Sequence, residues 1–178
     1  MASTKPPVVV YDACVLFPLN LRNVLVQCAE DRVVDARWTD DIHVEWIENL
    51  LQHDDRLDRA RLERTRNLMK RVLPGADVQG YQYLIDSLTL ADPDDRHVLA
   101  AAIHARADVI LSADRGFTNA VLAPYGLTVE RPDGFLMRLY HQDPDLMMAC
   151  MANARQTLRN SEPSPPRIPG PPPEMRAG

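Results

Sequence analysis

The sequence predicts an α/β fold: a three-layer α/β/α sandwich with a central parallel sheet, followed by a C-terminal helix and a proline-rich tail. Three observations predict it. Short β-branched runs, Val8-Val9-Val10-Tyr11 and Val109-Ile110-Leu111-Ser112, read as strands buried on both faces. Stretches with helical spacing of apolar residues lie between such runs. The two kinds alternate, which calls for parallel strands joined by right-handed crossovers.

The elements follow in order. After Pro18, residues 19–30 place Leu21, Val24, Leu25 and Cys28 on one helical stripe. Residues 33–38 read as a second strand. Thr39 is a good N-cap, and Asp40 and Asp41 suit the first turn of a helix with Ile42, Trp46 and Leu50 on one line. Glu45 borders that line. A further helix over 57–73 is stopped by Pro74-Gly75. Residues 87–90 are expected to form a short strand. Asp92 then caps a helix with Pro93 at its first position and Asp95 at its third. Residues 127–129 read as the last strand, with helices over 132–140 and from Asp143-Pro144 to residue 160.

The chain divides accordingly into an N-terminal tail (1–7), an α/β domain (8–142), a helical extension (143–160) and a tail (161–178). Seven of the fifteen prolines fall in that last stretch, which is expected to be disordered or polyproline-like.

Of the 178 residues, 46% are hydrophobic and 25% charged, the balance of a soluble globular domain. No apolar run approaches the ~20 residues of a membrane helix. The first residues lack the apolar core of a secretory signal. Cys14, Cys28 and Cys150 are odd in number and not spaced as metal ligands, which argues against a disulfide scaffold or zinc site. A reducing cytoplasm, with no membrane association, is the expected location. The net charge of −5 argues against gripping nucleic acid through overall charge. Yet between Arg56 and Arg71 lie seven basic residues against only Asp58 and Glu63. That segment reads either as a soluble helix face or as a set of phosphate contacts.

Ligands of an open parallel sheet gather outside the carboxyl ends of its strands. Asp12 and Asp114 follow strands directly, Asp92 and Asp95 open a helix, and Glu45 lies one turn into another. Four distant segments thus deliver carboxylates to one edge. Like charges in one place raise each other's pKa and repel. A hard divalent cation relieves that cost, and an oxygen-only set suits Mg²⁺ or Mn²⁺ better than zinc. Such an ion lowers the pKa of a water and stabilises charge on a phosphoryl oxygen, so phosphodiester hydrolysis is the natural chemistry. Each carboxylate also has an ordinary structural explanation: strand-end turn for Asp12 and Asp114, helix capping for Asp92 and Asp95, solvated flank for Glu45.

Val-Val-Tyr-Asp12-Ala-Cys-Val-Leu and Val-Glu45-Trp-Ile-Glu-Asn-Leu resemble the first two acidic motifs of PIN-domain nucleases. Asp92-Pro-Asp-Asp95-Arg-His-Val-Leu and Ser112-Ala-Asp114-Arg-Gly-Phe117 resemble the third and fourth, in the same order and spacing, over residues 8–140. Within the family the chain is most similar to VapC-like toxins of bacterial toxin–antitoxin pairs. The resemblance implies an Mg²⁺-dependent (or Mn²⁺-dependent) endoribonuclease that leaves a 5′-phosphate and a 3′-hydroxyl. It implies a catalytic and metal-binding quartet of Asp12, Glu45, Asp95 and Asp114, with Asp92 an additional acidic position. It also implies RNA as substrate, a cognate antitoxin as partner, and a homodimer. Two positions depart from the pattern: Cys14 stands where Asn, Ser or Thr is usual, and Gly116 where many relatives are acidic. These departures favour the alternative of a catalytically silent RNA- or protein-binding module. Ser112 is positioned to bond a phosphate or a carboxylate, whereas the five histidines show no ligand pattern and read as surface or packing groups. A phosphorelay receiver would need a lysine beside its aspartate, and neither Lys5 nor Lys70 is placed for it.

Overall fold

In the computed structural model of the chain, which describes residues 5–161, Val8–Tyr11 forms strand β1 and is buried throughout. It pairs in parallel with Asp35–Arg37 (β2) on one side and Val109–Leu111 (β3) on the other. Thr128–Glu130 (β4) pairs in parallel with β3, giving the order β2-β1-β3-β4. The two inner strands are entirely apolar because helices cover both faces, while β2 and β4 mix polar and apolar residues at the edges.

From β1 the chain steps one way across the sheet, through Ala13–Leu16 (α1) and Leu19–Glu30 (α2), to reach β2. It then returns past β1 to β3 through Asp40–His53 (α3), Arg59–Val72 (α4) and Arg96–His104 (α5). Right-handed crossovers taken in opposite directions put their helices on opposite faces, which produces the three layers. Helix α5 packs on β1 and β3. After Asn119–Leu122 (α6) and β4, Pro132–Gln142 (α7) and Pro144–Ser161 (α8) follow, and α8 packs against both α2 and α7.

Local chemistry sets most boundaries. The Thr39 hydroxyl accepts the Ile42 N–H at 3.1 Å, and Asp58 caps α4 through the Ala60 N–H. Of the expected strand over 33–38, only Asp35–Arg37 pairs with β1; Trp38 extends the edge instead by a bridge to Asp77. The expected strand at 87–90 is absent. Gln82–Ser87 forms a 3₁₀ turn, because the Ser87 hydroxyl and the Leu88 N–H turn back onto the carbonyls of Leu84 and Ile85. Asp92 does cap, but Pro93–Asp95 is a 3₁₀ turn and the α-helix begins only at Arg96. The last strand is shifted by one residue, to Thr128–Glu130.

The core is filled by Trp38, Trp46, Tyr11 and Phe135. Buried His43 has a packing role: it accepts the Trp46 indole N–H at 2.9 Å. Cys28 and Cys150 are free thiols, 3.5 Å apart between α2 and α8. Among the described residues no helix is long and apolar enough to cross a membrane. The tail expected over 161–178 lies, beyond the end of α8, outside the described residues.

Candidate active site

Tyr11 and Leu111 are register partners, so β1 and β3 end level and the residues after them leave the sheet side by side. Crossovers diverge from this point, β1 leading to β2 and β3 to β4, which makes it the switch point of the sheet. Asp12 is held there by its N–H, which donates to the Leu111 carbonyl at 3.1 Å. Its side chain is fixed at both oxygens. Oδ1 accepts the Ala13 N–H at 2.7 Å, and Oδ2 accepts the Ser112 hydroxyl at 2.6 Å. Ser112, fully buried, in turn accepts the Asp114 N–H at 3.0 Å. One hydroxyl therefore ties the two strand-end aspartates together across a sequence separation of 100 residues.

Asp114 Oδ1 accepts the Gly116 N–H at 2.6 Å. A Cβ added to Gly116 would lie 3.1 Å from both Asp114 Oδ1 and Asp95 Oδ2, so this glycine separates two carboxylates. Its lack of a side chain leaves room for both. Asp95 stands at the start of α5, where burial, followed by the charges of Asp114, Asp12, Asp92 and Glu45, pushes its carboxyl up to about 7. Asp12 is also raised, chiefly by burial, although the bonds from Ser112, Cys14 and Ala13 oppose this. Glu45 reaches the group from α3, and its Oε2 lies 3.3 Å from His97 Nε2. Asp92 is exposed and its carboxylate accepts the Asp94 N–H at 2.9 Å, so it caps the turn and adds charge from outside.

The structure thus brings Asp12, Asp95, Asp114 and Glu45 to one sheet edge, with Asp92 at the rim. Among the described residues no three acidic, histidine or cysteine side chains close into a ready ligand set. The chemistry of the site fits a hard, oxygen-preferring divalent ion: the donors are carboxylates from four segments, and a glycine keeps two of them open to a shared space.

Two residues read differently from the sequence. His97 is not a bystander. Its side chain is 17% exposed and paired with Glu45, which raises its pKa against the opposing effect of burial. The signal was its place two residues after Asp95, on the first turn of the same helix. Cys14, which stands where Asn, Ser or Thr is usual, keeps hydrogen-bonding contacts there. Its thiol lies 3.3 Å from Asp12 Oδ2 and receives the Ala113 N–H at 3.3 Å, so it braces the two strand ends in the place of a hydroxyl or amide. Lys70 is remote from this edge and bonds Asp40 at 2.6 Å and Asp77 at 3.3 Å.

No curated protein matches the chain. The family model for the PIN domain matches residues 8–116, a stretch running from β1 to the glycine between Asp95 and Asp114. That match covers more than half of the 178 residues, and the parallel sheet carries the acidic residues at its switch point. The chain belongs to the PIN-domain family, whose fold is of the nuclease type.

Proposed function

We propose that this protein is an endoribonuclease dependent on Mg²⁺ or Mn²⁺, with Asp12, Glu45, Asp95 and Asp114 holding the ion and Asp92 contributing charge at the rim. The observation that supports this most is the junction of β1 and β3, where one serine hydroxyl bonds Asp12 Oδ2 and the Asp114 amide. Bound there, the ion would lower the pKa of a water and stabilise charge on the phosphoryl oxygen. The protein's own groups do the rest. Ser112 and Ala13 fix the orientation of Asp12, leaving little freedom to be lost when it binds. His97 holds Glu45 toward the edge, and the Gly116 N–H orients Asp114. Asp95, with its carboxyl near 7, carries a proton in part of the metal-free population and must release it on binding a cation.

Asp12→Asn and Asp95→Asn are nearly isosteric and weaken cation binding, so each should abolish cleavage of RNA while the far-UV spectrum is unchanged. Full activity in either variant, or in excess EDTA, would refute the mechanism.

The finer proposal is a toxin of a toxin–antitoxin pair acting in the cytoplasm, supported by the resemblance of the four motifs. Expression of the wild type should arrest growth and Asp95→Asn should not; co-expression of the cognate antitoxin should restore it. A homodimer is proposed with it. The exposed side chains of Met137 on α7 and Met148 on α8, 53% and 60% accessible, give it apolar surface to cover, and sedimentation velocity tests it.

A further inference from the structure

An acidic edge on a chain of net charge −5 repels the polyanion it is proposed to cut, so attraction must come from elsewhere on the surface. Helix α4 is the place where cations concentrate: Arg59, Arg61, Arg64, Arg66, Lys70 and Arg71 against the single acid Glu63. Arg59 is paired with Glu48 and Lys70 with Asp40 and Asp77. Among the described residues Arg61, Arg64 and Arg71 form no ion pair, and the Arg66 guanidinium bonds only the neutral amide of Asn67, at 3.2 Å.

Between α3 and α4 runs a groove of about 490 Å³ lined by Asp40, Val44, Arg66, Asn67, Lys70 and Arg71. Its one carboxylate, Asp40, is already neutralised by Lys70. Helix α3 separates this groove from the acidic edge: Glu45 meets His97 of α5, while its neighbour Val44 lines the groove. Neighbouring residues of a helix face about 100° apart, so a strand leaving the edge reaches the groove by passing over one side of α3, less than a helix diameter of about 10–12 Å.

We infer that the α3–α4 groove binds the phosphate backbone of a single RNA strand whose scissile bond lies at the acidic edge, an inference that rests on the RNA substrate proposed above. Guanidinium groups match phosphate oxygens two at a time. The lining has no aromatic side chain for bases to stack on, so the contacts are to the backbone and tolerate any sequence.

The test is binding of a short fluorescein-labelled single-stranded RNA in EDTA, by anisotropy, from about 50 to 200 mM salt. Arg66→Ala/Arg71→Ala should raise Kd at least about tenfold and reduce the slope of log Kd against log salt by about 1.4, two phosphate contacts of a single strand. Arg155→Ala/Arg159→Ala on α8 removes equal charge and should leave both unchanged. An unaltered Kd and slope in the α4 variant, or an equal loss in the α8 variant, would overturn the inference. So would tighter binding of poly-glutamate than of the RNA at matched charge by the wild type, since the groove would then suit an acidic protein segment. Because no metal is present, a chain that binds through the groove yet never cuts sinks only the nuclease, and one that cuts yet ignores the α4 variant sinks only the groove.

Discussion

Asp40 and Asp95 both open a helix, where the dipole favours a negative charge, yet the fold drives them in opposite directions. Asp40 is held below the usual carboxylate range by the hydrogen bond and charge of Lys70. Asp95 is driven from 3.8 to about 7 by burial and by Asp114, Asp12, Asp92 and Glu45. The first is a satisfied surface pair. The second is a like-charge cluster that the folded state keeps at its own expense, and such strain collects where a protein binds or reacts. Helix termini alone do not distinguish the two; their neighbours do.

The contrast is broken most severely by Asp95→Asn. Beyond losing cleavage, this variant should unfold at a higher temperature than the metal-free wild type, and should no longer gain stability from Mg²⁺ or Mn²⁺. Calorimetry with and without metal measures both effects. A lower melting temperature in EDTA would mean that Asp95 is not repelled.

Ser112→Ala comes next. It removes the hydroxyl that holds Asp12 Oδ2 and leaves the Asp114 N–H without its partner. Metal affinity should fall about 10–100-fold, as is usual when a group orienting a ligand is lost. Titration calorimetry reads the change, and an unaltered affinity would remove Ser112 from the site.

The dependence on pH sharpens the comparison further. Because the folded pKa of Asp95 is raised, its contribution to stability is fully present below about pH 4 and is lost as pH rises toward 7. His43, pushed by burial from 6.5 to about 4, works oppositely: the fold loses stability as pH falls through that interval. The two slopes offset one another in the wild type. Metal-free Asp95→Asn should therefore lose stability on acidification from pH 7 to 4 more steeply than the wild type, in urea melts at each pH. Parallel curves would contradict the raised carboxyl. The smallest effect on stability belongs to Asp40→Asn: its side chain is 70% exposed, so losing the pair with Lys70 should cost less than about 1 kcal/mol in a urea melt.

Much of the fold was legible because its signals are local. The bounds of α2 coincide with the expected 19–30, and Thr39 and Asp92 cap where their side chains predict, whereas α4 begins at Arg59, after Asp58, and not at the expected residue 57. Residues 87–90 were misleading because a Ser-Leu-Thr-Leu run alternates like a strand, while Ser87 and Leu88 bond backward within three residues. In the candidate site, the aspartates after β1 and β3 were legible from strand ends alone. The pairing of His97 with Glu45 was not: the nearness of His97 to Asp95 points to the site, but 52 residues separate it from Glu45.

The sequence by itself determined most of the strands and helices, and that carboxylates follow β1 and β3 and stand at the start of α5. Burial patterns and caps act over a few residues, so they are written where they act. Only the tertiary structure decided which carboxylates become neighbours. Strand order places β1 beside β3, so that Ser112 can reach Asp12 from 100 residues away, and the glycine at 116 leaves Asp95 and Asp114 facing one space. Repulsion among these groups is a property of their arrangement, and it exists only once the sheet has formed.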